Sequence, residues 1–144
     1  MDINKHGVHR LARGENSITK ELLGPEPESP YSAKYPFNKV LNTPGGHVIE
    51  LDDTPDGERI HIYHKSGSYI EIDFEGRMVR KSVGNDVTVV AKDSEVHVEG
   101  NANVYIKGNA TMKVDGNYSS EVAGDVTWKA GGNMKFEAAR IDLN

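Results

Sequence analysis

The chain has 144 residues, enough for one ordinary domain or two small ones, and its 15 glycines and few aromatic residues favour strands and turns. The absence of cysteine excludes a disulfide framework, a thiolate nucleophile and a thiolate metal site. A net charge of -5 argues against a nucleic-acid partner, because neutralising phosphates requires a surplus of Lys and Arg. The sequence has no signal-peptide core and no apolar run long enough to span a bilayer, so we expect a soluble chain that the general secretory route does not export.

Residues 1–45 form a polar stretch that contains prolines at positions 25, 27, 30 and 36. Proline removes backbone donors and holds the chain extended, so we predict an extended, Pro-rich linker. From its character, we expect that this linker began as the connection to a domain outside this chain.

Residues 46–83 alternate apolar and polar side chains between turn signals, which is typical of short, half-buried strands. The pattern predicts strands near 47–51, 59–64, 68–74 and 77–83. We expect glycine to supply a positive φ in each intervening turn. The turns are Thr54-Pro55-Asp56-Gly57, Ser66-Gly67 and Glu75-Gly76.

Residues 84–138 carry an eight-residue repeat, in which Lys92 fills the one gap in a series of glycines. Asn or Asp follows each position of the series. We expect a sharp corner there, where glycine takes conformations that a Cβ forbids and the next residue tolerates left-handed geometry. The structural repeat glycines are Gly84, Gly100, Gly108, Gly116, Gly124 and Gly132.

Eight is an even number, so each repeat returns its side chains to the same face of a strand. Even positions are mainly apolar and odd positions mainly polar, which predicts one dry face and one wet face. The predicted interior core comprises Val90, Val96, Val98, Val104, Ile106, Met112, Val114, Val122, Val126, Trp128, Met134 and Phe136.

One octad contributes only about three inward side chains. A single ribbon of such strands therefore leaves its apolar face exposed to solvent. The chain either coils into a single-chain solenoid or winds with other copies around a shared axis. About seven octads complete little more than two turns of a solenoid, which is too few for stability. We therefore predict an all-β fold: an intertwined homotrimeric triple-stranded β-helix, a triangular prism, preceded by short antiparallel strands and the linker.

The sequence resembles the C-terminal β-helical needle of the central spike proteins of T-even-type bacteriophage baseplates, and the related valine-glycine-repeat (VgrG) spikes of type VI secretion. The stretch "GHVIELDDTPDGERIHIYHKSGSYIEIDFEGRMVRKSVGND" is similar to the segment before the needle. The octads contain Val-x-Gly at Val98-Glu99-Gly100, Val114-Asp115-Gly116 and Val122-Ala123-Gly124. In phage relatives a barrel and a lysozyme domain precede the needle, and neither fits here. We therefore expect a fragment or processed C-terminal portion without hydrolase activity.

The resemblance implies a cell-puncturing device in the virion, at the tail baseplate, which meets the host outer membrane and the periplasm during infection. Its implied partners are two further copies of the chain, a baseplate hub upstream and a conical tip protein of the proline-alanine-alanine-arginine (PAAR) type. The repeat breaks after Ala138, and the implied tip interface is Arg140, Ile141, Leu143 and Asn144; fraying of the terminus is the alternative. No cofactor and no nucleic-acid partner are expected.

Other residues could suggest metal-binding or catalytic sites, which the sequence does not favour. Asp52, Asp53, Asp56 and Glu58 suggest calcium, but their loop first reads as a turn. His61 and His64 lie three apart on a predicted strand, hence on opposite faces, and cannot chelate one ion together. A glycosidase pair among Glu50, Glu58 and Glu71 lacks the necessary context, so no catalytic residue is predicted.

Asp86 occupies an inward, even position. Three copies around an axis would concentrate its carboxylates near an ion or a water cluster, and the alternative is that Asp86 caps the turn begun at Gly84.

Three other functions are alternatives to the phage spike. A VgrG-type secretion spike shares the octads. A trimeric receptor-binding fibre should carry a bulky recognition tip, and none follows residue 138. A carbohydrate-binding or enzymatic solenoid should show outward aromatic rows, whereas Tyr105 is the only outward aromatic residue in the octads.

Overall fold

The structure, a computed structural model, describes residues 27–142, and the regular secondary structure of these residues is one five-stranded sheet. The strands are β1 (Asn38–Asn42), β2 (Val48–Asp52), β3 (Arg59–Tyr63), β4 (Tyr69–Asp73) and β5 (Met78–Lys81). They lie side by side in chain order, and each neighbouring pair is antiparallel. Isoleucine, valine and tyrosine suit these strands, because β-branched and aromatic side chains pack well on a pleated surface. The all-β class and the short antiparallel strands predicted from the sequence are confirmed.

The strands β2 to β5 begin and end within two residues of the predicted strands. Two of the three turns follow the prediction, with φ of +97° at Gly67 and +78° at Gly76. In the loop after β2, however, the positive φ of 59° falls on Asp56 rather than on Gly57. Aspartate tolerates left-handed geometry, so this turn does not require a positive φ at Gly57.

Strand β1 lies inside the range that the sequence analysis assigns to the extended linker. Its five residues pair with β2 from Asn38 opposite Asp52 to Asn42 opposite Val48. The linker prediction is wrong for these residues, because pairing with a neighbouring strand, rather than any strong alternation of their own, places them in the sheet. Residues 1–26 of the predicted linker lie outside the described residues.

The backbone of the octads bends at a regular interval. Bends recur every eight residues, at 83–84, 91–92, 99–100, 107–108, 115–116, 123–124 and 131–132. They coincide with the predicted corners, including the one at Lys92. Residues 84–142 contain no strand pairing within the single chain, and all of them are exposed. The described residues fall into two compact units, divided between Tyr105 and Ile106.

The prediction that octad glycines take conformations that a Cβ forbids is wrong. In the described part of the chain, positive φ at glycine is confined to Gly46, Gly67 and Gly76, and Asp56 is the one other residue with it. A Cβ placed on any of the six octad glycines meets nothing within 4 Å in the single chain. The corners are bends that ordinary residues adopt, as Lys92 does, so local backbone geometry does not explain the glycine.

Candidate functional site

The sheet has two faces of opposite chemistry, and the face covered within the chain is the polar one. Strands β2, β3 and β4 each alternate buried and more exposed residues, and the buried positions are mostly charged. The buried polar side chains of these strands are Glu50, Asp52, Arg59, His61, Glu71 and Asp73. Three buried apolar residues, Val48, Tyr63 and Tyr69, complete this face. The half-buried strands predicted from the sequence are therefore present, but with their polar side inward in the single chain.

Arg59 occupies the centre of the polar face and binds two carboxylates. Its Nη2 pairs with Glu50 Oε2, and its Nη1 lies 2.9 Å from Glu71 Oε2. His61 Nδ1 lies 2.9 Å from the same Glu71 oxygen, and all four side chains are at most 5% exposed. An isolated buried carboxylate is very costly, so the guanidinium is what allows both acids to remain inside. We call Glu50, Arg59, His61 and Glu71 the Arg59 cluster.

The surroundings of Glu71 shift the pKa of its carboxyl group. Burial alone raises the pKa of the Glu71 carboxyl, but hydrogen bonds from His61 and Ser29 and the positive charge of Arg59 lower it more strongly. The net result is a pKa below the ordinary value, so the folded chain favours the ionised carboxylate. The cluster is accordingly an ion-pair network rather than a proton donor.

An extended segment, residues 28–34, covers the cluster, and we call it the strap. The Ser29 hydroxyl donates to Glu71 Oε2 at 2.8 Å and accepts from Arg59 Nη1 at 3.1 Å. The Arg59 guanidinium also lies 4.5 Å from the centre of the Tyr31 ring, within range of a cation–π contact. The strap thus supplies a hydroxyl and an aromatic ring to a buried arginine.

The opposite face of the sheet is apolar and uncovered. Pairing register places its side chains in two rows that cross all five strands. Ile70 is 40% exposed and Met78 66% exposed, with the remaining large aliphatic side chains mostly near half exposure. We call this set the aliphatic ladder: Leu41, Ile49, Leu51, Ile60, Ile62, Ile70, Ile72 and Met78. Lys39 and Arg80 end the two rows at opposite edges.

The predicted interior residues of the octads are all exposed in the single chain. Their exposed fraction runs from 45% at Met134 to 88% at Val96, and Trp128 is 72% exposed. Of the predicted tip residues, Ile141 is 52% exposed, and Arg140 Nε donates to Asp142 Oδ1 at 2.8 Å. Leu143 and Asn144 lie outside the described residues.

Asp86 has a partner that the sequence analysis did not foresee. Its carboxylate pairs with Arg80 Nη2, and both side chains are at least half exposed. Within residues 27–142 no group of three histidine, aspartate and glutamate side chains could hold a metal ion. The ion or water cluster predicted near Asp86 requires three copies and stays a prediction.

The remaining candidates have structural partners. His61 and His64 do lie on opposite faces; His61 is buried, whereas the His64 ring lies 4.5 Å from that of His47. In the acidic loop, the Gly57 amide donates to the Thr54 carbonyl oxygen at 3.0 Å, which closes the predicted turn, and Asp52 Oδ1 accepts from the Thr54 amide at 3.0 Å. No helix in the described range has the length and hydropathy of a membrane span.

Sequence reasoning missed the Arg59 cluster. The available signal was the placement of charge at alternate positions of three adjacent strands: Glu50 and Asp52, Arg59 and His61, Glu71 and Asp73. Once the strands are paired, these positions share one face.

Comparison with known proteins adds to this geometry. Residues 100–123 match the family described as the Gp5 C-terminal repeat, in three copies. The chain is 42% identical over 78 residues to Protein Gp5 of Vibrio phage KVP40, covering 54% of this chain and 18% of that protein. It is 39% identical over 88 residues to the pre-baseplate central spike protein Gp5 of Enterobacteria phage T4, covering 56% of this chain and 15% of that protein. The chain spans less than a fifth of the length of these relatives. The resemblance to the central spike proteins of T-even-type phages, stated from the sequence, is confirmed.

Proposed function

We propose that this chain, with its Gp5 C-terminal repeats, is a structural part of a phage central spike and resides in the virion at the tail baseplate. In this proposal three copies wind their octads into one shaft. The repeat match over residues 100–123 and the similarity to the pre-baseplate central spike protein of phage T4 support this role. The role is structural rather than enzymatic.

The observation that carries the proposal is that even-numbered apolar side chains of the octads are exposed in the single chain. Val104 is 85% exposed and Phe136 67% exposed. Fully burying a large apolar side chain stabilises a protein by roughly 1.5 to 3 kcal/mol, so a dozen such residues left in water represent a large unrealised stabilisation. The single chain does not fold back to cover them, which favours winding with other copies over a lone solenoid.

The octad glycines support the same conclusion. Neither a positive φ nor a neighbouring atom within the chain requires glycine at positions 100, 108, 116 and 124. A close approach by another chain at each corner is a physical reason that remains, because glycine lets backbones come near.

The aliphatic ladder is a second uncovered apolar surface of the chain. An uncovered patch of this kind on a sheet is typical of an interaction surface. Copies of this chain that join through the octads would therefore also meet through the ladders.

The finer proposal is mechanical. A shaft in which every strand pairs above and below with another copy has no free lateral edge, so it resists shear and serves to pierce the host outer membrane. We propose that Arg140, Ile141, Leu143 and Asn144 bind a PAAR-type tip protein. Deleting residues 140–144 should abolish binding of such a protein, and unchanged binding would refute this assignment.

The self-association is tested by light scattering on the full chain together with two matched variants. Val104 and Val89 are 85% and 86% exposed, but they occupy even and odd positions respectively. The wild type should have the mass of three chains. Val104→Asp should disrupt assembly because it places a carboxylate on the shared axis, whereas Val89→Asp should leave the mass unchanged. A wild-type mass of one chain, or equal effects of both variants, contradicts the proposal.

A further inference from the structure

Both ends of the strap are also hydrogen-bonded to residues next to the strands. At its start, Arg77 Nη2 donates to the backbone oxygen of Glu28 at 3.0 Å. At its end, the backbone amide of Lys34 donates to Thr54 Oγ1 at 2.9 Å. Arg77 lies in the turn between β4 and β5, and Thr54 lies just after β2. The strap therefore begins beside one hairpin turn and ends beside the loop after β2.

Between these ends the strap crosses the strands instead of running along one of them. Its contacts follow in chain order from the β4–β5 turn, through Glu71 on β4 and Arg59 on β3, to the loop after β2. Three strand spacings of about 4.8 Å amount to roughly 14 Å. Seven extended residues reach at most about 23 Å, so the strap spans this width easily. It links strands that backbone hydrogen bonds connect only in neighbouring pairs.

Close packing fixes the position of the strap along this path. A Cβ on Gly57 would lie 2.3 Å from Ser32 Oγ, so a larger residue at position 57 requires the Ser32 hydroxyl to rotate away. At the other end, Arg77 Nε lies 2.9 Å from Asp73 Oδ2, which holds the guanidinium where it reaches Glu28. Directional polar contacts therefore replace strand pairing as the attachment of this segment.

We propose that the strap is a mechanical brace that ties the β4–β5 hairpin to β3 and to the loop after β2. This inference rests on the mechanical function proposed above. Strand β5 is a four-residue edge strand, and the octads follow it directly in the chain. Force applied along the octads pulls on the end of β5. The backbone hydrogen bonds between β5 and β4 would then break one after another. Through Glu28, Ser29 and Lys34, the brace shares this force among the β4–β5 turn, β4, β3 and the loop after β2, in addition to the backbone hydrogen bonds between neighbouring strands.

The test uses the full chain and removes only side chains of the strap. The double variant Ser29→Ala/Tyr31→Ala leaves the ion pairs of Arg59 in place, and Tyr35→Ala is the matched control because Tyr35 is 92% exposed. Amide hydrogen exchange is followed in β4 and β5, with light scattering on the same samples. We expect exchange in both strands to become about tenfold faster in the double variant, at unchanged mass, with no change in the control.

Two outcomes overturn the brace. One is unaltered exchange in β4 and β5 while the Lys34 amide exchanges faster, which would make the strap a passive cover. The other is an equal acceleration in Tyr35→Ala. Failure of the proposed function gives a separate result, because a wild type with the mass of one chain contradicts the shaft while exchange still reports on the strap.

Discussion

Replacing Ile62 by alanine tests whether the aliphatic ladder is buried between copies of the chain. Ile62 lies in the centre of one row, opposite Ile49 on β2 and Ile70 on β4, and is 47% exposed in the single chain. Fully burying an isoleucine side chain contributes roughly 1.5 to 3 kcal/mol, so covering its exposed half contributes about 1 kcal/mol per copy. Most of this is lost in alanine. Summed over three copies, the free energy of assembly should weaken by about 3 kcal/mol, which is roughly a 150-fold change in the equilibrium constant.

Sedimentation velocity across a urea series measures this change as a shift in the midpoint of dissociation. Tyr35→Ala serves as the control, because Tyr35 is 92% exposed and lies outside the ladder. Ile62→Thr adds a second comparison, since threonine keeps the β-branched shape and separates strand propensity from lost burial. A dissociation midpoint in Ile62→Ala that equals the wild type or the Tyr35 control would refute burial of the ladder between copies.

Four further predictions concern the sheet and the corners. Arg59→Met should lower the free energy of unfolding by about 3 to 5 kcal/mol in urea titrations, because it leaves Glu50 and Glu71 buried without their cation; equal stability would refute the role of the ion pairs. The low pKa of Glu71 contributes stability that is complete above its ordinary value of 4.5 and is lost as the pH falls through the lower folded value. Unfolding followed between pH 6 and pH 2 should therefore show a weaker acid dependence in Glu71→Gln than in wild type; identical slopes would contradict this. Gly76→Ala should cost about 1 kcal/mol at a φ of +78°. By contrast, Gly108→Ala should leave the isolated chain unaffected and destabilise only the assembly, as thermal unfolding at several protein concentrations will reveal.

Several features were predictable because they depend on local patterns. Alternation around Ile60 and Ile70 indicated strands, Gly67 and Gly76 marked turns, and the even spacing of the octads placed their apolar residues in one phase. Each signal involves neighbours a few residues apart, and periods of two and eight are visible in any single sequence. The bends at every eighth residue follow from the same spacing.

The contents of the polar face were decided only by the tertiary structure. Ser29 and Glu71 are 42 residues apart in sequence, and neither belongs to a shared periodic pattern. Strand β1 likewise joins the sheet through its partner β2 rather than through its own alternation. Which face of an amphipathic sheet is covered depends on what crosses it, and here the strap covers the charged side. Since that choice is made by contacts between distant segments, the sequence determined two distinct faces and only the fold decided which would be enclosed within the chain.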